Sequence, residues 1–261
     1  MINLATRVSV SFEDKVAYLT FSEENERRPC TLDWDVLKEL RNAVSQIEDN
    51  IPDTRLVIVQ SASPKSFIVG ANIAALEELN PENIMEWVRQ GHDVFLRLRK
   101  LPIPVIAKVE SYALGGGLEL AMACDFIVAT ENAVFAQPEA SLGVMPGWGG
   151  SFRLINLVGP NRAKQLFMTG EHISAKQAYE WGLVNLVCSA EEIDEKLNEI
   201  AEKIVQNDYQ VLAFVKRMIN NISDVRDENG ILLEEISSSV CLNSESTKAR
   251  LNAFFEKRRK K

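Results

Sequence analysis

Residues 112–129 read YALGGGLELAMACDFIVA. Three glycines stand directly before an apolar run, and Glu119 sits among Leu118, Leu120, Ala121 and Met122. Glycine admits backbone dihedrals closed to other residues and lets other groups approach the main chain closely. A glycine turn that opens a helix presents free N–H groups and the positive end of the helix dipole, which together favour an anion. The guest is either a phosphate or a carbonyl oxygen that gains negative charge during reaction. GGGLEL has neither the G-x-G-x-x-G spacing nor a following Lys-Ser/Thr, so a dinucleotide fingerprint and a P-loop both fail. A turn used only for tight packing is the bland alternative.

Glu119 adds chemistry to the turn. A helical Glu with apolar neighbours is expected to be buried, and burial raises a carboxyl pKa toward values useful for proton transfer near neutrality. The competing reading is a Glu on the wetted side of a half-exposed helix. A second acid, Glu139, lies in VFAQPEASLGVMPGWGGSFRL, after a strand-like segment and a proline. Two such carboxylates can share one water, one acting as acid and the other as base.

Working outward, VSVSF and VAYLTF flank EDK and read as a hairpin. TLDWDVLKELRNAVSQIEDN carries a helical stripe of Leu32, Val36, Leu37, Leu40, Val44 and Ile47, with Thr31 as the expected N-cap. TRLVIVQS is a continuous apolar strand of the kind buried on both faces. SFIVGANIAALEEL reads as strand, turn and helix; IMEWVRQGHDVFLRLRKL as a helix stopped by PIP; PVIAKVES as a strand; and DFIVATENAVFAQPE as strand, turn, strand. GPNRAKQLFMTG is a helix closed by Gly170, and SAKQAYEWGLV pairs Ser174 with Gln177 in a capping box and closes at Gly182. The alternation of strand and helix indicates an α/β fold. After residue 190 the pattern is almost wholly helical, so an α/β core over 1–190 and a helical region over 191–261 are expected.

Composition removes several function classes. The chain has 261 residues and a net charge of −8, against a nucleic-acid partner, although the tail EKRRKK is locally basic. No apolar run has the length of a membrane span, and MINLATRVSVSFEDK lacks the pattern of a secretory signal, so a cytoplasmic protein is expected. Cys30, Cys124, Cys188 and Cys241 are scattered without a CxxC pair and read as reduced packing residues. With only His92 and His172 there is no cluster for zinc, and a Ser-His-Asp triad would need one of the two. Both read as structural or surface residues, leaving carboxylates and backbone groups to carry any catalysis.

Taken together, FIVGANIAAL, ALGGGLELAMACDFIVATENAVFAQPEASLGVMPGWGGSFRL and QLFMTGEHISAKQAYEWGLVNLV resemble the crotonase superfamily, and within it the enoyl-CoA hydratases. The resemblance is strong over about residues 56–190, where GGG-x-E, QPE and P-G-x-G-G occur together. It implies a spiral of repeated β-β-α units with a helical C-terminal trimerisation region. It implies hydration of a trans-2-enoyl-CoA, with the thioester oxygen held by the backbone N–H groups of Ala71 and Gly116. Glu119 would position and deprotonate water at C3, and Glu139 would supply a proton at C2.

The resemblance also implies that Gly70, Ile73, Gly115, Pro138, Gly147 and Trp148 surround the substrate, with Trp148 either narrowing the acyl pocket or simply packing. AFFEKRRKK is similar to the family's closing helix, which implies Phe254 and Lys257 near coenzyme A, while Arg27 and Arg28 either meet its phosphates or are a solvated basic pair. No cofactor is implied beyond the coenzyme A of the substrate. The expected partners are an acyl-CoA and further copies of the chain, as a homotrimer or homohexamer. Asn72 stands where the family usually has Asp, and SEENERRPCTLDWDVL departs from the family's N-terminal segment. The alternatives are another crotonase reaction (isomerase, decarboxylase or hydrolase) or a non-catalytic acyl-CoA-binding protein. Many isomerases keep only the acid matching Glu139, so the presence of both acids favours hydration.

Overall fold

The computed structural model describes residues 6–25, 27–224 and 227–259. Residues 1–5 of the N-terminal stretch and Lys260 and Lys261 of the basic tail lie outside them. The chain opens with an antiparallel hairpin, β1 (Thr6–Glu13) and β2 (Val16–Glu23). Asp14 and Lys15 form its two-residue turn with φ of 44° and 70°, the positive values that match the twist of paired strands. Helix α1 (Trp34–Asp49) is capped by Asp33, whose Oδ1 accepts from Val36 N at 2.9 Å. The expected cap, Thr31, instead donates its N–H to Thr6 Oγ1, and Leu32 lies in a parallel bridge with Ala71. The hydrophobic stripe thus begins before the helix does, because the preceding segment is itself buried against β-structure.

Three β-β-α units follow. The first is β3 (Leu56–Ser61), β4 (Ser66–Ile68), α2 (Ile73–Glu78) and α3 (Ile84–Arg99). The second is β5 (Val105–Val109), β6 (Tyr112–Leu114) and α4 (Gly116–Ala123). The third is β7 (Phe126–Thr130), β8 (Val134–Ala136), α5 (Glu139–Leu142) and α6 (Gly150–Val158). Then come α7 (Pro160–Thr169), β9 (Ile173–Ser174), α8 (Ala175–Glu180) and β10 (Leu186–Cys188). The first strand of each unit enters a six-stranded sheet of order β1-β2-β3-β5-β7-β10, and the second enters a four-stranded sheet of order β4-β6-β8-β9. The repeated switch between sheets produces the spiral. It also means that β7 and β8, adjacent in sequence, are not partners of one another.

The central strands are buried on both faces along their apolar runs. Val57, Val59, Val105, Ala107, Ile127 and Ala129 join the main core, while Leu56, Ile58, Ile106 and Val128 meet Ile193, Leu197 and Ala201 of α9 (Ile193–Gln206). The remaining helices are α10 (Tyr209–Asp224), α11 (Asp227–Leu242) and α12 (Glu245–Arg259). Helix α11 packs on α3 and α6, and α12 on α5.

All eight residues of α4 are buried. Gly115 turns the chain from β6 into it with φ of 53°. At Gly117 a Cβ would stand 2.1 Å from the Ile68 carbonyl oxygen, so only glycine lets α4 lie against β4. This contact seats the start of α4 beside the loop that follows β4, where the two segments of the candidate site meet.

Candidate active site

The loop after β4 and the start of α4 are adjacent. A Cβ on Gly70 would lie 3.3 Å from Leu114 O and 3.6 Å from Gly116 N. Leu32 N donates to Gly70 O and Asn72 N donates to Leu32 O, so the bridge uses the residues flanking Ala71 and turns Ala71's own N–H to the opposite side. Gly116 is the first residue of α4, where a helix N–H has no acceptor within its own helix. Asn72 caps α2 by accepting from Ala74 N at 3.0 Å, so its amide oxygen does locally what the family's carboxylate could do.

Both N–H-bearing residues line a cavity of about 560 Å³ together with Glu119, Glu139, Gly70, Gly115, Pro138, Gly147 and Trp148. Its apolar wall comes from Leu76, Leu79, Ile84, Trp87, Val88 and Leu142. Arg28 and Phe254 also line it. Lys257 does not: it is exposed on α12, and Arg258 lines the cavity instead, with its guanidinium 5.6 Å from the centre of the Phe254 ring. Ile73 opens α2, and its side chain lies outside the described residues.

Glu119 is 2% exposed. Its Oε1 accepts from Trp148 N at 2.9 Å and from Gly150 N at 2.7 Å. Burial drives its pKa well above the usual carboxylate range, Glu234 and Glu139 push it further, and the two amides oppose the rise. Glu139 is half-buried at the start of α5. Burial raises its pKa to about 7, its own backbone amide opposes the rise, and Glu234 adds to it. In the orientation that satisfies both groups, the buried Gln137 amide donates to Glu139 Oε2 and Oε1 at 3.0 and 2.8 Å.

Trp148 is fixed as well as buried. Its indole N–H donates to Trp87 O at 3.2 Å, and its ring packs against Trp87 and Phe95. A Cβ on Gly91 or Gly116 would come within 2.0 or 2.6 Å of the ring, so two glycines form its slot. Trp148 thus packs and lines the cavity at once.

Sequence reasoning missed Gln137, Arg258 and, above all, Glu234, which is 1% exposed. An acid within a helix that packs on the core was the available signal, the same one that marked Glu119. His92, read as structural or surface, is buried with Nε2 3.1 Å from Glu234 Oε2. His172 lies against Tyr112, away from the cavity lining. Cys30, Cys124 and Cys188 are buried and free. Among the described residues, no group of His, Cys, Asp and Glu could hold a metal ion, and no helix is long and apolar enough to cross a membrane.

A spiral of β-β-α units with two carboxylates in one cavity beside two backbone N–H groups defines a protein of crotonase fold. The comparisons specify the family. A family model described as enoyl-CoA hydratase/isomerase matches residues 11–261, and the chain belongs to that family. It is 39% identical over 247 residues to the short-chain-enoyl-CoA hydratase of Clostridium acetobutylicum, covering 95% of this chain and 94% of that protein. It is 36% identical to the crotonyl-CoA hydratase of Syntrophomonas wolfei, with the same coverage of 95% and 94%. The crystal structure of an enoyl-CoA hydratase from Bacillus anthracis superposes with a TM-score of 0.78 at 36% identity, covering 96% of each chain.

Proposed function

We propose that the chain is an enoyl-CoA hydratase, adding water reversibly across the 2,3 double bond of a trans-2-enoyl-CoA to give the 3-hydroxyacyl-CoA. The observation that carries this is two carboxylates of raised pKa in one cavity with the Ala71 and Gly116 N–H groups. The thioester oxygen accepts from these two donors. As the water oxygen bonds to C3, the electrons of the double bond move through C2 toward the thioester oxygen, and the donors hold the enolate-like charge; one such donor is commonly worth about 2.7–4 kcal/mol in the transition state. Glu119 takes a proton from the water, and Glu139 delivers one to C2.

The pair therefore works with one proton between the two acids. The reaction runs from the form in which Glu119 is ionised as base and Glu139 carries the shared proton as acid. Hydration is lost as pH rises and the pair gives up its last proton. That alkaline limb is expected at or above about 7, since both acids are shifted upward.

Arg28, Phe254 and Arg258 line the cavity and supply two cations and an aromatic ring for the coenzyme A end of the substrate. Assembly as a homotrimer or homohexamer is supported by the exposed Val211, Phe214, Val215, Met218 and Ile219 of α10. Sedimentation of the purified protein tests it, and a monomer at micromolar concentration would refute it. Free, buried cysteines suit a reducing cytoplasm.

The activity test follows loss of the conjugated enoyl-thioester absorbance of crotonyl-CoA. The wild type should form 3-hydroxybutyryl-CoA, and Glu119→Gln and Glu139→Gln should each lower kcat by roughly 10²–10⁴-fold. Binding without turnover would transfer the protein to another crotonase reaction. Failure to bind any coenzyme A ester would overturn the reading.

A further inference from the structure

The turn that opens α6 distributes its backbone donors in alternation. Trp148 N and Gly150 N point to Glu119. Gly149 N points to Glu234 Oε2 at 2.9 Å, and Ser151 N points to Glu234 Oε1 at 3.0 Å. The Ser151 hydroxyl also donates to Glu234 Oε1. Gly149 permits the alternation through its left-handed backbone, φ 99° and ψ 10°. Four successive amides are thus divided between two buried carboxylates arriving from opposite sides, one on α4 and one on α11. Glu234 does not line the cavity.

We propose that Glu234 is a positioning residue for the two-glutamate site: it clamps the 148–151 turn and thereby fixes the two N–H groups on which Glu119 rests. Without it, the buried Gly149 amide and the part-buried Ser151 amide and hydroxyl lose their acceptor, and an unsatisfied buried donor is more unfavourable than a typical hydrogen bond is stabilising. The turn would rotate to recover partners and would take Trp148 N and Gly150 N off Glu119. The charged and titratable groups facing Glu234 are His92 from α3, Glu119 from α4, Glu139 from α5 and Arg153 from α6, which donates to Trp148 O at 2.7 Å. On its own helix, Glu235 pairs with Arg89 of α3 at 3.8 Å. The negative charge of Glu234 acts on both acids, raising the pKa of each.

The inference rests on the hydratase reading of Glu119. The test compares wild type, Glu234→Gln, Ser151→Ala and Glu119→Gln on crotonyl-CoA across pH. Glu234→Gln should lower kcat by about tenfold or more with KM within about threefold, the pattern of a lost transition-state arrangement. Its alkaline limb should move to lower pH, because removing a negative neighbour makes the paired acids easier to ionise. Ser151→Ala keeps the charge, so it should lower kcat a few-fold and leave the limb in place.

A folded Glu234→Gln with wild-type kcat and wild-type pH profile overturns the proposal. If that variant does not fold, wild-type kcat in Ser151→Ala overturns it. Glu119→Gln at the wild-type rate overturns the hydratase reading itself. Glu119→Gln crippled beside an unaffected Glu234→Gln overturns only the role of Glu234.

Discussion

Helices α4 and α11 each bury one glutamate against the same four-residue turn. Glu119 and Glu234 are 2% and 1% exposed, and each accepts from two backbone N–H groups of residues 148–151. Yet only Glu119 reaches the cavity. The difference teaches that burial and hydrogen bonding do not by themselves make a catalytic acid. Glu119 lies one turn into a helix whose first residue, Gly116, lines the cavity. Glu234 lies behind the turn and meets only protein. One carboxylate has room for a water; its counterpart has its oxygens occupied by the chain.

The comparison can be broken on one side alone. A Cβ at Gly150 would stand 2.8 Å from Glu119 Oε1 and 3.1 Å from its Cγ. Gly150→Ala should therefore displace Glu119 while leaving Glu234 seated. A loss in kcat of roughly 10²–10⁴-fold is expected, near that of removing the carboxylate. Steady-state kinetics with crotonyl-CoA checks it, and a near-normal kcat would show that the Glu119 seat tolerates displacement.

Trp148 separates the turn's side chain from its amides. Trp148→Ala keeps both N–H bonds to Glu119 but empties the slot between Gly91 and Gly116. Unfolding should become easier by about 3–5 kcal/mol, the usual range for a buried large aromatic. The wild type should favour four-carbon over eight-carbon enoyl-CoA, and the variant should narrow or reverse that preference in kcat/KM. An unchanged preference in a folded variant would place the end of the acyl pocket elsewhere.

The smallest effects belong far from the turn. Arg258 lines the cavity and Lys257 does not. Arg258→Ala should weaken coenzyme A binding by a few-fold, in line with about 0.2–1 kcal/mol for an exposed ion pair. Lys257→Ala should do less, and titration calorimetry with coenzyme A would rank them. The reverse order would restore Lys257 as the contact.

Much of this was legible locally. The α/β order, the hairpin, the two-sided burial of β3, and the helical end of the chain follow from apolar period and turn residues. The N-cap of α1 was misplaced because Thr31 and Asp33 are both good caps, and only the bridge of Leu32 to Ala71 decides where the helix can start. The strand-turn-strand of β7 and β8 was legible as two strands, but their membership of two sheets was not.

By itself, the sequence determined which residues have the chemistry: a glycine triplet able to bare its amides, a lone acid in an apolar helix, and a second acid after QP. These are properties of dihedrals and of neighbours within a few residues. Only the tertiary structure decided that Ala71 and Gly116 lie at one cavity, that Arg258 rather than Lys257 faces it, and that Glu234 closes the turn from behind. Those outcomes depend on pairings between segments far apart in the chain. Local periodicity carries no record of such pairings, because each is fixed by how whole sheets and helices stack and not by which residue comes next.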